Sequence, residues 1–369
     1  MPRPLFWDLG APDALCGRTR GESQLLKPLD PAAGEPAPTP TSTQIWSRRL
    51  AAFKSPLPRR AVAEVILTVG PLLALWGAAW TAYAFGLPWL AVMFTLPAAL
   101  FLVRLFLIQH DCGHGAFFKH ASTNDWVGRA LGVFTLTPYE SWKHSHALHH
   151  ASSGDLDRRG QGEGAIDTLT VAEYRALTPL KRFGYRLYRH PLVLFGLGPS
   201  FLYFVQQRLP VGMMSKGWGP WVDTLGNAAA VLAVFGGLAL FAGVGPVLLI
   251  HGVTFALAAT IGVWLFYVQH QFEHTGWVRS PEWKSAGAAF HGSSFYDLPG
   301  PLAWVTAHVG VHHVHHLSRR IPFYRLPEVV RAFPELREIN RVGLRESFGC
   351  ARLTLWDEDR RKLVGFSDV

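Results

Sequence analysis

Two long apolar blocks, at about 61–109 and 226–272, dominate what this chain can become. Neither holds more than isolated polar residues, and each is long enough for two membrane-spanning helices of about 20 residues. A short turn without charge divides each block, Gly86-Leu87-Pro88 in the first and Gly243-Val244-Gly245-Pro246 in the second. In hydrocarbon every backbone polar group must be satisfied within its own segment, so such blocks become helices. The expected spans are about 61–85, 89–108, 225–242 and 247–266, paired as two hairpins. The fold class is therefore an all-α membrane protein whose four transmembrane helices carry a helical cytosolic cap, made from 110–223 and 273–369.

Charge placement orients the hairpins. The formal net charge is +9, yet the second block has no Lys or Arg and the first has only Arg104. The remaining cations lie outside the blocks: Arg48, Arg49, Lys54, Arg59 and Arg60, then the middle segment, then the C-terminal region. Positive charge gathered on one side of two hairpins is the positive-inside pattern, which puts both termini and the cap in the cytoplasm and argues against nucleic acid as the partner. Trp76, Trp80, Tyr83 and Trp89 are expected to form an aromatic belt on the opposite face. Arg104 and Gln109, near the end of the second span, are within reach of water or a partner.

Outside the spans, residues 1–45 are rich in Pro, Gly, Ala and Thr and read as a disordered tail preceding one domain at 46–369. The first residues lack an apolar core for a cleavable signal, so insertion is expected to rely on the first span. Cys16, Cys112 and Cys350 fit no paired framework. Apolar stretches near 126–137 and 192–205 are too short to span and read as half-buried surface helices.

Histidines cluster where the spans end. His146, His149 and His150 form an HxxHH run, and His312, His315 and His316 repeat it. Positions i, i+3 and i+4 fall on one helical face, so each run points three imidazoles at a common spot. His110 with His114, and His270 with His274, are i, i+4 pairs at the exits of the second and fourth spans. All four groups lie on one side of the membrane, and together they exceed what one ion can bind, which implies two metals. Imidazole suits iron, zinc, copper and nickel alike. His313 interrupts the last run and is expected to point elsewhere, whereas His251 reads as a bystander between the third and fourth spans. Asp111, Asp155 and Asp157 are candidates to orient ligating imidazoles by accepting their second N–H.

Missing patterns narrow the chemistry further. There is no HExxH of a zincin and no ExxH of the carboxylate-bridged sites in soluble bundles. Membrane haem proteins place single axial ligands on facing spans instead of triplets beside them.

At these residues the chain resembles the membrane fatty acid desaturases, whose three histidine boxes match HDCGH at 110–114, HALHH at 146–150 and HHVHH at 312–316. NDWVG at 124–128, GDLDRRG at 154–160, YRLYRHPLVLFGLGP at 185–199, YVQHQFEHT at 267–275 and IPFYRLPEV at 321–329 are similar to bacterial members of the omega-6, or delta-12, acyl-lipid branch. The resemblance implies a bacterial inner-membrane protein with a non-haem centre of two iron ions. It carries ligand roles over to His110, His114, His146, His149, His150, His312, His315 and His316, with a further ligand expected from the pair His270 and His274, His274 being preferred. Asp111, where Glu is common in plant relatives, and the extra His313 are departures from the family pattern.

The implied activity is oxygen-dependent insertion of a double bond into the acyl chain of a membrane lipid or other acyl carrier. O2 is then the co-substrate, and electrons come from an external donor, a ferredoxin-like or small haem protein, because no haem or flavin motif is fused here. A lipid hydroxylase or ketolase on the same scaffold is the nearest alternative. A histidine-rich metal-binding or transport protein is a more distant one, since the third and fourth spans offer almost no polar path. Neither the attacked carbon nor the oligomeric state is encoded in these motifs.

Overall fold

The computed structural model describes residues 40–160, 162 and 166–369. Most of the expected tail lies outside the described residues, and the described chain opens with helix α1, Pro40–Arg49. Among the described residues, four helices are long and apolar enough to cross a membrane: α2 (Pro58–Ala84), α3 (Pro88–Gly113), and two that follow the middle segment. Pro58 and Pro88 occupy first-turn positions of α2 and α3, where a missing N–H costs nothing. Gly86, with φ +72°, makes the turn between them.

The chain then runs through α4 (Ala121–Phe134), α5 (Tyr139–Ser152) and α6 (Pro179–Arg189). The second pair of spans follows, α7 (Gly219–Ala242) and α8 (Val244–His270), hinged at Gly243 with φ +92°. α3 and α8 run on past their apolar residues, so each carries a histidine, His110 or His270, in its last turn. α3 is the central helix, packed on α2, α4 and α8. By contrast Leu240 and Phe241 at the end of α7 are each 92% exposed, an outward surface suited to lipid.

The C-terminal lobe holds short helices α9 (Gly300–Val305), α10 (His312–Leu317) and α11 (Leu326–Ala332). A parallel pair, β1 (Phe295–Asp297) with β2 (Arg341–Gly343), ties the two ends of that segment, with Tyr296 opposite Val342. An antiparallel pair, β3 (Leu355–Asp357) with β4 (Lys362–Val364), closes the chain.

Two expectations about the spans change. Trp76 and Trp80 do not join an outward belt: Trp76 packs on the His251 ring at 4.7 Å, and the Trp80 indole N–H donates to His251 Nε2 at 3.0 Å. His251 itself lies inside α8 and is buried, so a polar group within the membrane recruits the Trp80 donor and packs against the Trp76 ring, leaving Tyr83 and Trp89 facing outward.

Arg104 also turns inward. Its guanidinium donates to the Glu64 carboxylate of α2 and to the Trp304 carbonyl of α9, and it lies over the Trp304 ring at 4.4 Å. Arg60 holds the other Glu64 oxygen at 2.8 Å. Glu64 and Arg104 are both 1% exposed, so this pair bolts two spans to the lobe that precedes α10. Removing one partner of a buried pair strands the other charge, at a cost of about 3–5 kcal/mol. Glu64→Ala is expected to lower the thermal and denaturant midpoints of the solubilised protein accordingly, and a Glu64→Leu, Arg104→Met double replacement to recover most of the loss. Equal losses in both variants would contradict this role of the pair.

Candidate metal centre

Nine imidazoles converge where α3, α5, α8 and α10 meet. The coordinating nitrogens form two sets, His110, His114, His146, His150 and His315 in one, and His149, His270, His312 and His316 in the other. Within each set these atoms lie within 4.8 Å of one another. The α5 run is divided between the sets: His146 and His150, at i and i+4, face the first, while His149 faces the second. α10 divides likewise, His315 to the first and His312 with His316 to the second. Each HxxHH run thus bridges two centres. The rings of His150 and His316 meet at the seam with centroids 4.3 Å apart.

The contacts are nitrogen to nitrogen. His146 Nε2 is 3.1 Å from His114 Nε2 and 3.1 Å from His150 Nε2, and His315 Nε2 is 3.0 Å from His150 Nε2. In the second set His270 Nε2 stands 3.1 Å from His149 Nε2 and 2.9 Å from His312 Nε2, with His316 Nε2 3.1 Å from the latter. Nitrogens held about 2.1 Å from one ion at right angles lie about 3 Å apart, so both sets have the spacing of a ligand shell. Five and four nitrogen donors suit a transition-metal ion, and they leave each ion short of six.

Burial pushes His114, His146, His149, His150, His312, His315 and His316 well below the ordinary histidine value, and the neighbouring imidazoles push them the same way. They are therefore uncharged at neutral pH, the form a metal requires.

Hydrogen bonds to the far side of two rings set which nitrogen is free. Asp111 Oδ1 lies 2.9 Å from His110 Nδ1, and the Gly292 carbonyl lies 2.9 Å from His270 Nδ1. Each acceptor holds the proton on Nδ1 and leaves Nε2 as the lone pair. The other Asp111 oxygen accepts the Phe323 N–H at 2.6 Å, which ties the end of α3 to the segment after α10. Asp155 and Asp157, offered for the same task, act elsewhere. Asp155 holds Arg158 at 2.6 Å and the Ser280 hydroxyl at 2.9 Å, and Asp157 holds Arg279 at 2.8 Å. Both carboxylates join the loop after α5 to the strand-like segment at 278–280.

His274 is not in either set. α8 ends at His270, and the turn that follows leaves His274 exposed, because the helical i, i+4 relation is lost beyond the last helical residue. His270 supplies that corner of the site instead. His313 is buried against Phe295 and belongs to neither set.

Several supporting residues escaped the reading of the sequence. Trp142 stacks on His146 at 4.7 Å and 14°, and Phe266 packs on His149 and His270 at 4.9 and 5.0 Å. Each sits four residues before a histidine of the two sets on its own helix, the one signal that could have found them. Gly162, at φ +92°, passes so close to α5 that a Cβ would meet the His149 backbone nitrogen at 2.6 Å.

Three outcomes follow. His270→Ala is expected to reduce bound metal from two ions to about one per chain by elemental analysis, whereas His274→Ala retains both; the reverse result would restore His274 to the site. Asp111→Asn should weaken metal binding about 10–100-fold in chelator competition, the usual cost of losing a carboxylate behind a ligating ring. The metal-free chain should lose stability as pH falls below about 6.5, because the unfolded histidines take up protons there while the buried, pKa-lowered rings do not; a midpoint independent of pH between 7 and 5 would contradict that burial.

Comparison with known proteins fits this geometry. Residues 87–347 match the fatty acid desaturase family, a stretch that contains all nine imidazoles. The chain is 38% identical over 324 residues, 88% of its own length and 90% of the relative's, to a fatty acid desaturase of Bacillus subtilis (strain 168). It is 28% identical over 253 residues, 65% of this chain and 66% of the relative, to the sn-1 acyl-lipid omega-3 desaturase (ferredoxin) of Synechocystis sp.. An endoplasmic reticulum omega-3 fatty acid desaturase of Vigna radiata var. radiata is 26% identical over 253 residues, 62% of this chain and 60% of the relative. With four membrane helices and two buried histidine sets, the chain belongs to the fatty acid desaturase family, as an integral membrane oxidoreductase that desaturates fatty acyl chains at a histidine-ligated di-iron site.

Proposed function

We propose that the protein inserts a second double bond, of omega-6 or delta-12 type, into a monounsaturated chain carried by a membrane glycerolipid, at a cytoplasmic-facing site. The observation that carries the reaction class is the paired five- and four-nitrogen sets at the ends of α3 and α8. The acyl-lipid assignment is supported by the Synechocystis relative, whose name specifies that substrate class and a ferredoxin donor. The omega-6 assignment is supported by the motifs at 124–128, 154–160, 267–275 and 321–329. The relatives whose names state a position are omega-3 enzymes, so the position of the new bond is the part under test.

An unactivated methylene has neither an acidic proton nor a leaving group, so side-chain acid–base chemistry cannot remove its hydrogens. The two irons, when bound, supply with O2 the oxidising power for that step. In balance, CH2–CH2, O2, two electrons and two protons give CH=CH and two waters, and the electrons come from outside the chain. His110, His114, His146, His150 and His315 would hold one ion, and His149, His270, His312 and His316 the other, a reading supported by the two nitrogen sets. Asp111 and the Gly292 carbonyl fix the His110 and His270 rings. Trp142 and Phe266 exclude water from one flank of each set and hold the imidazoles in place. A ferredoxin-like electron donor meets the cytoplasmic face.

Expression in a host rich in monounsaturated lipids, followed by mass spectrometry with double-bond localisation, tests the proposal. New diunsaturated chains with the added bond at the omega-6 position, absent with His149→Ala, are expected. An omega-3 bond would overturn the regiochemistry, and hydroxylated chains alone would move the reaction to oxygen insertion.

A further inference from the structure

A second cavity, of about 380 Å³, lies in the C-terminal lobe and touches none of the nine imidazoles. Its size falls within the range of small-molecule sites, roughly 300–1,000 Å³. One wall is apolar and belongs to the membrane side: Leu298 and Ala303 line it, and α9, which carries Ala303, packs along α3 through Trp304 on Phe101 and Arg104. Arg104 precedes the end of α3 by about two and a half turns, so α9 lies beside the body of a spanning helix. Gly300 and Pro301 at its start are exposed on that side.

The lining is also cationic. Arg331, Arg337 and Arg341 contribute to it, with Asp297 and Glu338 among them. The carboxylates are committed to one arginine: Asp297 takes Arg341 through both Nε and Nη2, and Glu338 adds its charge to that same guanidinium. Among the described residues, Arg331 and Arg337 have no carboxylate within ion-pairing distance, and both are exposed at the cavity. Arg331 gives its Nε–H to the Pro327 carbonyl at 3.3 Å and leaves the rest of its guanidinium open. A cavity lined both by apolar side chains and by two guanidiniums without a carboxylate partner has the mixed polarity of a membrane interface, and guanidinium is the side chain suited to a phosphate by its planar fork.

The floor joins this cavity to the metal centre. Ala307 and His308 both adopt left-handed backbone, φ +52° and +53°, an uncommon conformation outside glycine that persists only where the surroundings enforce it. The His308 ring lines the cavity, and burial beside Arg104 holds it at about 4, so it offers a neutral hydrogen-bonding group. Gly310 and Val311 continue the wall directly into His312. Gly310 has no room for a side chain, since a Cβ would meet the Tyr296 carbonyl at 2.2 Å. Whatever fills the cavity therefore bears on the strand that delivers the α10 ligands.

We infer that this cavity binds the phosphate headgroup of a membrane glycerophospholipid, with Arg331 and Arg337 on the phosphate and Leu298 and Ala303 against the glycerol end of the chains. The inference rests on the acyl-lipid reading and makes its carrier a phospholipid.

Binding without turnover tests it apart from the regiochemistry, whose failure would leave these measurements unchanged. The purified full-length protein is titrated by calorimetry with dihexanoyl phosphatidylglycerol, the uncharged dihexanoylglycerol, inorganic phosphate and an acylated acyl carrier protein. The wild type is expected to bind the phospholipid at least 10-fold tighter than the uncharged lipid or inorganic phosphate. Arg331→Gln with Arg337→Gln should remove that preference, and the charge-matched Arg345→Gln with Arg360→Gln should keep it. Ala303→Trp, which closes the apolar end without altering charge, should weaken phospholipid binding at least fivefold, and melting curves of each variant check that the fold is retained. With metal-loaded enzyme the double arginine variant should raise KM for the phospholipid with little change in kcat. Equal affinity for inorganic phosphate, dependence of acyl carrier protein binding instead of lipid binding on these arginines, or an undiminished preference in the double variant would each overturn the assignment.

Discussion

Everything in this structure answers to a set of uncharged imidazole nitrogens that face one another in a buried place. Two lone pairs 3 Å apart share at most one proton, and His146, which meets both His114 and His150 through one nitrogen, can satisfy only one of them. Protonating the rings would put charge into a site whose burial already disfavours it. A cation at the centre of each set resolves both problems, because each nitrogen then donates to the ion and none requires a proton. The arrangement has the chemistry of a metal site.

Holding such a shell open requires a scaffold that is fixed without the metal. The spans provide two of its corners by carrying α3 and α8 past their apolar residues into His110 and His270. Asp111 locks one corner to the segment after α10, and the Gly292 carbonyl locks the other. Farther out, Glu64, Arg104 and the Trp304 carbonyl join two spans to the turn that leads into α10. A buried ion pair adds little net stability, but it strongly favours the one packing in which both charges are matched. In this chain that packing is the one that sets α9, and after it His312, against the membrane domain. The same segment walls the cavity of about 380 Å³ in the C-terminal lobe, which therefore adjoins the segment that delivers His312.

Much of this was legible in the residues themselves. The hairpins follow from apolar length, and the helical period aims His146, His149 and His150 at one face. Their division between two sets was not legible, because it depends on where α10 docks, a tertiary fact. The preference for His274 fails for a local reason: the i, i+4 rule holds only within a helix, and α8 stops at His270. Asp155 and Asp157 looked equivalent to Asp111 by residue type, yet only Asp111 is carried on the same helix turn as a ligand. Trp76 and Trp80 carry the composition of a membrane belt, and His251, about two turns into a span, draws them inward instead. Arg104 read as reaching water or a partner; it takes the partner, and that partner, Glu64, sits on the neighbouring span at a position that no local pattern marks.

Anomalous diffraction at the iron edge from crystals of the iron-loaded protein tests the two-set arrangement most directly. Two peaks are expected, one enclosed by His110, His114, His146, His150 and His315, the other by His149, His270, His312 and His316. A single peak, or a peak ligated by His274 in place of His270, would contradict it.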